Sequence, residues 1–286
     1  MEVLYLNKSK FKSNLLILLP FIILVSLFEL LPMLSILIKS FIKEGGGGFT
    51  LENYISIFTK PFYQQAIVTS IGVSIISSIV GIIVAFIGAK SANSVDSKSK
   101  NMFMSILNMT SNFSGVPLAF AFIILLGKTG VLVILGQKMG IKALANFDVY
   151  SNNGLLLAYI YFQIPLATLL LIPAFSSLRH EYEEAAKILR ANKFQYWYYV
   201  GIPILLPSIL STFSVLFANS LVAYATAYGL LAGNASLIPI RLTELFVGDL
   251  IQRPELGSAL SVILLILMGL SFTINNKITK NLRKDI

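Results

Sequence analysis

The most charged run in the chain, EEAAKILRANKFQYWYYVGIP at residues 183–203, joins acidic and small residues to a cluster of aromatics. At about 100° per residue, the helix at its start has one apolar face, formed by Tyr182, Ala185, Ala186 and Leu189. Charged residues fill the rest of the circumference: Glu181, Glu183, Glu184, Lys187 and Arg190. Glu183 and Lys187 stand in the i, i+4 order that favours an ion pair. This pattern suits noncovalent docking of another surface, or packing of a surface helix under its own bundle.

Residues suited to catalysis or metal binding are scarce. The chain has no cysteine and one histidine, His180, so thiol chemistry and a histidine-based metal cluster are excluded. It contains no Gly-x-x-x-x-Gly-Lys-Ser/Thr loop, so we do not expect it to hydrolyse ATP by itself. An intramembrane enzyme would need paired acids inside one apolar segment, and the sequence offers none. We therefore predict no catalytic residue, no metal site and no cofactor on this chain.

The elements that must position these residues are membrane helices. Of the 286 residues, 56% are hydrophobic and 12% are charged, too few charges to cover a soluble domain. A helix needs roughly 20 apolar residues to cross the bilayer core. Six segments qualify, at about 15–38, 66–89, 103–127, 154–178, 203–226 and 256–276. Because the runs are long and continuously apolar, they favour helices over barrel strands, and we predict an all-α polytopic membrane protein.

The distribution of basic residues predicts the orientation. With the N-terminus in the cytoplasm, 14 of the 22 Lys and Arg residues fall on the inner side and eight on the outer side. An even number of spans then places both termini, and residues 183–203, in the cytoplasm. The net charge of +9 needs no nucleic-acid partner, because this bias accounts for most of it.

We expect one membrane domain without a soluble appendage. Its parts are a cytoplasmic leader (1–14), the first span with its outer loop (15–65), a core (66–276) that contains the loop 179–203, and a cytoplasmic tail (277–286). In the outer loop, EGGGG at 44–48 is predicted to be a flexible spacer. The residues after it predict a short surface helix capped by Thr50.

Several polar residues interrupt the apolar segments. Glu29 lies inside the first span, where a carboxylate is costly and is a functional candidate, unless it reaches water or contacts a neighbouring protein. Candidates for a transport path lie in the third and fifth spans: Asn112, Ser114, Asn219, Ser220 and Tyr224. Hydrogen bonding between helices explains these residues equally well. Gly115 and Pro117 predict a break in the third span, beside a cavity.

The order of residues in 183–203 resembles the EAA loop of ABC importer permeases. Glu184-Ala185-Ala186 is followed, at the family's spacing, by Arg190 and then by Val200-Gly201-Ile202-Pro203. Arg190 replaces the family's usual glycine, although a left-handed turn there costs a non-glycine residue energy. Asn192, which tolerates that conformation, is an alternative position for the turn. Three further stretches resemble the family core: 49–89, 116–127 and 257–267.

The resemblance implies a type I permease fold whose cytoplasmic coupling helices seat in a separate ATPase. Spans two to six would form the core, and the first span would be peripheral. The implied coupling residues are Glu183, Glu184, Ala185, Ala186, Leu189, Arg190, Val200, Gly201, Ile202 and Pro203, with Trp197, Tyr198 and Pro203 as the anchor. The implied partners are two ATPase subunits carrying ATP and Mg, a second permease (identical or homologous), an extracellular solute-binding protein and the lipid bilayer of a bacterial inner membrane.

The substrate and one alternative function stay open. Residues 217–233 resemble the branch that handles spermidine/putrescine, ferric iron, sulfate, thiamine and aminoethylphosphonate, so we expect a small charged solute, first a polyamine or aminophosphonate. The alternative is an ion-coupled secondary transporter, which needs several intramembrane ionisable groups where only Glu29 is clearly available. Charges in the last outer segment suit a docked binding protein or an ordinary solvated loop: Arg241, Glu244, Asp249, Arg253 and Glu255.

Overall fold

The computed structural model describes residues 18–232, 235–248 and 252–282. The regular structure in these ranges is helical, with one isolated antiparallel bridge between Ile42 and Phe49. The helices are α1 (Leu18–Lys39), α2 (Glu52–Thr59), α3 (Pro61–Asn93), α4 (Ser97–Ser111), α5 (Val116–Leu126), α6 (Val131–Met139), α7 (Lys142–Ala145), α8 (Asn152–Phe175), α9 (His180–Ile188), α10 (Lys193–Leu221), α11 (Ala225–Leu231), α12 (Ile238–Val247) and α13 (Pro254–Leu282). The predicted leader 1–14, residue Asp249 and the last part of the predicted tail lie outside the described residues.

Within the described residues, six stretches are long and apolar enough to cross a bilayer. They are α1, α3, Val116–Met139 (α5 with α6), α8, α10 and Pro254–Asn281 of α13. The third stretch differs from the predicted 103–127, because the helix stops at Ser111 and resumes at Val116. Gly115 has a φ of 74°, which favours glycine, and Pro117 lacks the N–H that would continue the previous helix. The predicted break is therefore confirmed, and the apolar crossing continues past it to Met139.

The chain divides into two compact units. One contains residues 1–59 and 244–263, and the other contains residues 60–243 and 264–286. The sequence-based division into a first span with its outer loop and a core at 66–276 stays a prediction. Glu29 belongs to the first unit, whereas the segment 183–203 and all five transport-path candidates belong to the second.

In the first unit, the glycine-rich stretch 44–48 forms a closed turn instead of the predicted flexible spacer. The backbone N–H of Lys43 donates to the carbonyl of Gly48 at 3.0 Å, which closes the turn. Three of its glycines have positive φ, at 83°, 84° and 101°: Gly45, Gly46 and Gly48. Residues other than glycine rarely adopt positive φ, so the glycines determine the conformation of this turn as well as its length.

Helix α2 is fastened to the end of α1 by one buried amide. Asn53 donates to the carbonyls of Ser40 at 3.1 Å and Ile42 at 2.9 Å, so two carbonyls beyond the end of α1 are satisfied. Thr50 precedes α2, and its hydroxyl accepts the backbone N–H of Glu52 at 3.1 Å, which confirms the predicted cap.

In the second unit, two apolar clusters lie along the central helices α3, α8 and α10. The first cluster joins α8 to α5 and α11, with Leu118, Phe122, Leu155, Tyr159 and Leu230 among its buried members. The second joins α3, α8 and α10, with Ala85, Ala89, Leu171, Phe175 and Leu205 among its buried members. Along α8 the first cluster ends at Phe162 and the second begins at Ala167, so the helix passes from one cluster to the other within a few residues.

A buried polar layer separates the two apolar clusters. The hydroxyl oxygens of Ser77 on α3 and Ser220 on α10 are 3.2 Å apart. The amide nitrogen of Gln163 on α8 donates to the Leu216 carbonyl at 2.9 Å and contacts the Ser78 hydroxyl at 3.4 Å. Because an apolar medium offers few other partners, such hydrogen bonds fix the register of the three helices. They thereby position the end of α10, where the second of the two sites described below begins.

Candidate functional site

Helix α9 carries the first half of the segment 183–203. Ala186 is buried, whereas Ala185 and Leu189 are exposed, so the predicted single apolar face is split. Leu189 is 81% exposed and Ile188, which the sequence analysis assigned to no face, is 82% exposed. These three exposed residues, Ala185, Ile188 and Leu189, are called the α9 pad below. The pad is left uncovered by the described part of the chain.

Two carboxylates stand beside the α9 pad. The Glu183 carboxylate lies 2.9 Å from the Lys187 ammonium, which confirms the predicted i, i+4 pair. The hydrogen bond and the charge of Lys187 lower the pKa of Glu183. Glu184 lies 3.7 Å from Nε2 of His180, one turn earlier. Because all four side chains are exposed, these pairs contribute little to stability, and their main effect is to place negative charge next to the pad.

Arg190 ends α9 in a left-handed turn with a φ of 56°. Its backbone N–H donates to the Lys187 carbonyl at 3.0 Å, and the N–H of Ala191 donates to the Ala186 carbonyl at 2.9 Å. These two bonds form a Schellman motif, whose turn position usually holds glycine. The alternative that the turn moves to Asn192 is wrong, because Asn192 has a φ of −78° and caps the next helix.

The second half of the segment is the beginning of a membrane span. Asn192 and Gln195 form a capping box, in which each side chain accepts the other residue's backbone N–H at 2.8 Å. From there α10 continues through a π-helical turn at Trp197–Gly201 to Leu221. Only the few residues of the Schellman turn and the cap therefore separate α9 from a helix that crosses the bilayer.

Trp197 anchors the start of α10 in the second apolar cluster. Its indole lies 5.6 Å from the Phe86 ring and 6.4 Å from the Phe175 ring, and the Lys90 ammonium lies 4.5 Å above it. A Cβ atom added at Gly201 would lie 2.6 Å from Cε3 of this indole. Gly201 is thus required for the close approach of the anchor, which gives a structural reason for that position of the predicted motif.

The other motif residues near the anchor differ in burial. Tyr198, a predicted anchor, is 60% exposed and stacks on the ring of Phe194, which is more exposed still. Val200 and Pro203 are half-buried, and Ile202 is exposed. Trp197 is therefore the predicted anchor residue that packs most closely within its own chain.

A second candidate site lies where two helices are interrupted. The first break separates α4 from α5, and the second separates α10 from α11. The backbone N–H of Gly115, in the first break, donates to the hydroxyl of Thr226 at 2.9 Å, and the same hydroxyl lies 3.3 Å from the Gly115 carbonyl. Thr226, at the start of α11, is buried. This pair, called the break clasp below, joins the two breaks by side chain and backbone.

A cavity of about 450 Å³ opens beside the break clasp. Its lining residues are Ser111, Ser114, Gly115, Phe162, Leu166, Asn219, Val222, Ala223, Tyr224, Ala225 and Thr226, none of which is charged. Three of the five predicted path residues, Ser114, Asn219 and Tyr224, lie together here. Hydroxyls, an amide and an aromatic ring can bind a solute by hydrogen bonds and ring contacts, without a fixed charge that would hold it.

The remaining two path candidates lie elsewhere. The amide of Asn112 donates to the Asn108 carbonyl of its own helix at 2.8 Å, and Ser220 belongs to the buried polar layer. Gln163 was not among the predicted site residues, yet it is fully buried and its Oε1 has no hydrogen-bond partner among the described residues. Its signal was present, because it is the one amide in the apolar run 155–171.

Glu29 belongs to neither site. It lies in a π-helical turn, Ser26–Leu30, near the middle of α1, and its side chain is exposed. The apolar part of α1 contains no buried residue among those described. The lining of the cavity beside the break clasp does not include Glu29.

Both candidate sites lie within the part of the chain that matches a known protein family. Residues 77–282 match the model of the family described as the binding-protein-dependent transport system inner membrane component. The chain belongs to this family. It is the permease component of an ABC importer and a multi-pass inner membrane protein. The alternative of an ion-coupled secondary transporter is thereby set aside.

Similar proteins include transport permeases of different stated cargo. The permease is 25% identical over 276 residues to the spermidine/putrescine transport system permease protein PotB of Haemophilus influenzae, covering 91% of each chain. It is 26% identical over 249 residues to the putative ferric transport system permease protein FbpB 1 of the same species, covering 84% of this chain and 38% of that one.

A solved structure shows the same fold. One chain of a bacterial ABC transporter involved in the import of the acidic polysaccharide alginate matches the permease with a TM-score of 0.76. The match covers 97% of the permease and 98% of the other chain at 16% identity. The predicted type I importer fold is therefore confirmed. Because the family match begins at Ser77, helix α1 and Glu29 lie outside it.

Proposed function

We propose that the permease carries a small solute past the break clasp and that a separate ATPase drives this movement through the α9 pad. The observation that carries the proposal is the contrast within the segment 183–203. The α9 pad is exposed, whereas Trp197, a few residues further on, is packed among Phe86 and Phe175. A docking surface transmits force only when it is joined to a rigid element, and the anchored start of α10 supplies that element.

The chemistry of the α9 pad supports a protein partner. Exposed aliphatic side chains flanked by charge are typical of a protein interface, where the apolar centre loses water and the charged rim sets the orientation. Glu184 would meet a basic or amide group of the ATPase, and the pad would fill its groove. ATP and Mg would be bound by that partner and not by this chain.

The proposed assembly contains two ATPase subunits, two permeases and an extracellular solute-binding protein. Both termini and α9 face the cytoplasm in this arrangement, as the distribution of Lys and Arg favours. The second permease is either identical or homologous. The cavity beside the break clasp would then receive solute from the outer side of the membrane, and the solute would be released on the side of α9.

Substitution of the α9 pad tests the coupling proposal. We expect Leu189→Arg, alone or with Ile188→Arg, to leave the permease in the membrane while the ATPase no longer copurifies with it and uptake is lost. Val95→Arg is the matched control, because Val95 is exposed in the loop between α3 and α4 and is not part of the pad. Glu184→Lys should weaken ATPase binding and uncouple hydrolysis from uptake. Normal copurification and uptake in the Leu189→Arg variant would reject the pad as the coupling surface.

We propose a small charged solute as cargo, with a polyamine first and an aminophosphonate second. The similarity to a spermidine/putrescine permease over 91% of both chains supports the polyamine. The cavity beside the break clasp also supports a polyamine. Its hydroxyl and carbonyl oxygens can accept hydrogen bonds from ammonium groups, and the Tyr224 ring offers a face for a cation.

Uptake assays with labelled solutes test the cargo. The complete transporter, with its own ATPase and binding protein, would be offered putrescine, spermidine, aminoethylphosphonate and sulfate in a host lacking the corresponding systems. We expect ATP-dependent uptake of a labelled polyamine. Unlabelled polyamine should inhibit this uptake, and the other unlabelled solutes should not. Uptake of sulfate alone would overturn the polyamine proposal while leaving the coupling proposal intact.

A further inference from the structure

A concave basic site lies on the face of α9 that is turned toward the ends of the membrane spans, away from the α9 pad. The cavity has a volume of about 470 Å³ and its walls come from the ends of α3 and α8 and the beginnings of α9 and α10. Four cationic side chains line it, Lys90, Arg179, Lys187 and Lys193, and Glu183 is the one carboxylate among the lining residues. The proposed coupling function uses one residue of this cavity, the anchor Trp197, and none of the cations that line it.

The charge in the cavity is only partly balanced. Lys187 is paired with Glu183 at 2.9 Å. In the described part of the chain, no carboxylate oxygen lies within ion-pairing distance of Lys90, Arg179 or Lys193. Glu183, paired with Lys187, is the one carboxylate set against these exposed cations, so the concavity keeps an excess of positive charge that favours an anion. The N-terminus of α9, which has no side-chain cap, opens beside the same wall and favours an anion there.

The position of the cavity indicates where the anion comes from. Lys90 is in the last turn of α3, Phe175 is the last residue of α8, and Trp197 lies near the start of α10, so the cavity lies where three membrane spans end. Aromatic and basic side chains at such a depth face the phosphate groups of the lipid layer. The wall also contains apolar surface from the half-buried side chains of Leu178 and Trp197, against which the first atoms of an acyl chain can pack.

We propose that this cavity binds the phosphodiester headgroup of an anionic phospholipid. Arg179 and Lys193 would contact the phosphate oxygens from the side of α9 and α10, and Lys90 would do so from α3. The bound headgroup would bridge α9 to the ends of the spans and so fix the angle of α9. The inference does not rest on the proposed function, because binding is measured on the permease alone.

The single tryptophan of the chain makes the site directly observable. Trp197 is the only tryptophan, and it lines the cavity. The purified full-length permease in a zwitterionic detergent would be titrated with short-chain phosphatidylglycerol, short-chain phosphatidylcholine and inorganic phosphate, while tryptophan emission is recorded. We expect a saturable change with phosphatidylglycerol, a weaker one with phosphatidylcholine, and none with inorganic phosphate in the same range. Trp197→Phe should abolish the signal.

Neutralising the cavity should weaken binding by a predictable factor. Each basic residue near anionic lipid is worth about fivefold in affinity, so Lys90→Gln with Arg179→Gln and Lys193→Gln should raise the half-saturation concentration about a hundredfold. The matched control neutralises three cations outside the cavity, Lys98, Lys100 and Lys277, and should bind as the unsubstituted chain does. A charge-conserving triple variant, with Lys90→Arg, Arg179→Lys and Lys193→Arg, separates loss of charge from loss of folding and should retain binding.

Three outcomes would overturn the proposal. One is an equal half-saturation concentration in the neutralised and control variants. Another is a saturable response to inorganic phosphate that matches the response to phosphatidylglycerol, which would assign the cavity to a free anion instead of a lipid. The third is the absence of any saturable change with phosphatidylglycerol in the charge-conserving and unsubstituted chains. None of these outcomes bears on copurification of the ATPase, so failure here is distinguishable from failure of the coupling proposal.

Discussion

The segment 183–203 and the break clasp are built on opposite principles. The first is continuous in sequence, charged, and exposed at its working surface, with one aromatic anchor behind it. The second is assembled from residues 111 positions apart, is uncharged, and depends on one hydroxyl that satisfies the backbone of a glycine. The difference fits the contacts that we propose for each region: another protein in water at one, and a passing solute inside the membrane at the other.

The two regions should therefore fail in different ways. At the segment 183–203, an exposed side chain can change with little effect on folding, because its energy is realised only when a partner binds. At the break clasp, the same hydrogen bonds serve folding and the shape of the cavity together, so a substitution cannot separate the two.

The largest effect is expected where the segment 183–203 meets the apolar cluster. Gly201→Ala would place a Cβ atom 2.6 Å from Cε3 of Trp197, and the indole cannot retreat because Phe86 and Phe175 lie against it. We expect a loss of about 1–3 kcal/mol in the free energy of unfolding, typical of an overpacked core, together with loss of coupling. Thermal unfolding in detergent and transport-coupled ATPase activity measure the two effects.

Gly72→Ala is the control for this substitution. Gly72 also lies inside a membrane helix, but an added Cβ atom there would meet nothing within 4 Å. The free energy of unfolding should be unchanged or rise by about 0.5–1 kcal/mol, since alanine favours the helix. If both alanine variants melted alike, the close contact between Gly201 and Trp197 would not be an anchor.

A smaller loss is expected at the break clasp. Thr226→Val keeps the shape of the side chain but leaves the N–H of Gly115 without its acceptor, which costs about 1–2 kcal/mol when the group is buried. Uptake should fall in step with the melting temperature, because the clasp also shapes the cavity. Thr273→Val is the control, since Thr273 is exposed and its hydroxyl donates to a carbonyl of its own helix, that of Gly269. If the Thr226→Val and Thr273→Val variants had the same free energy of unfolding, the break clasp would not stabilise the fold.

A gain is expected at the turn that ends α9. Arg190 holds a φ of 56°, so Arg190→Gly should relieve about 1 kcal/mol of backbone cost. Because Arg190 is exposed, we expect a higher melting temperature with uptake unchanged. Asn192→Gly, which removes the cap of α10 instead, should lower the melting temperature and serves as the opposite control. A lower melting temperature for Arg190→Gly would mean that the arginine side chain makes a stabilising contact outside the chain.

The same contrast explains what could be predicted from the sequence. The six apolar runs and the spacing from Glu184 to Pro203 are local patterns, so the fold class and the family could be recognised. The split of the Ala185–Ala186 pair into an exposed and a buried residue could not, because it depends on how α9 lies against the ends of α3 and α8. At Arg190, the family's spacing predicted the position of the left-handed turn correctly, whereas the conformational preferences of arginine and asparagine favoured Asn192.

The break site shows the opposite balance. Gly115 and Pro117 predicted an interruption, but its partner Thr226 lies in another helix, and only the fold brings the two together. For the same reason the sequence could not show that the Asn112 amide bonds to Asn108 and that the Ser220 hydroxyl lies beside Ser77, away from the cavity beside the break clasp. Polarity in an apolar run indicates that a residue needs a partner, and the fold decides whether that partner is a helix or a solute.

The smallest effect is expected from the ion pair on α9. The hydrogen bond and charge of Lys187 lower the pKa of Glu183 in the folded chain, so the pair contributes stability above the ordinary pKa of a glutamate and loses it as the pH falls through the lowered value. Glu183→Gln should therefore melt slightly below the unsubstituted chain at neutral pH, and the difference should vanish in acid. Salt should shrink the difference at neutral pH, because the pair is exposed. A difference that grew as the pH fell would mean that Glu183 is stabilised as a neutral acid, and the segment 183–203 would then not be a surface organised by charge in water.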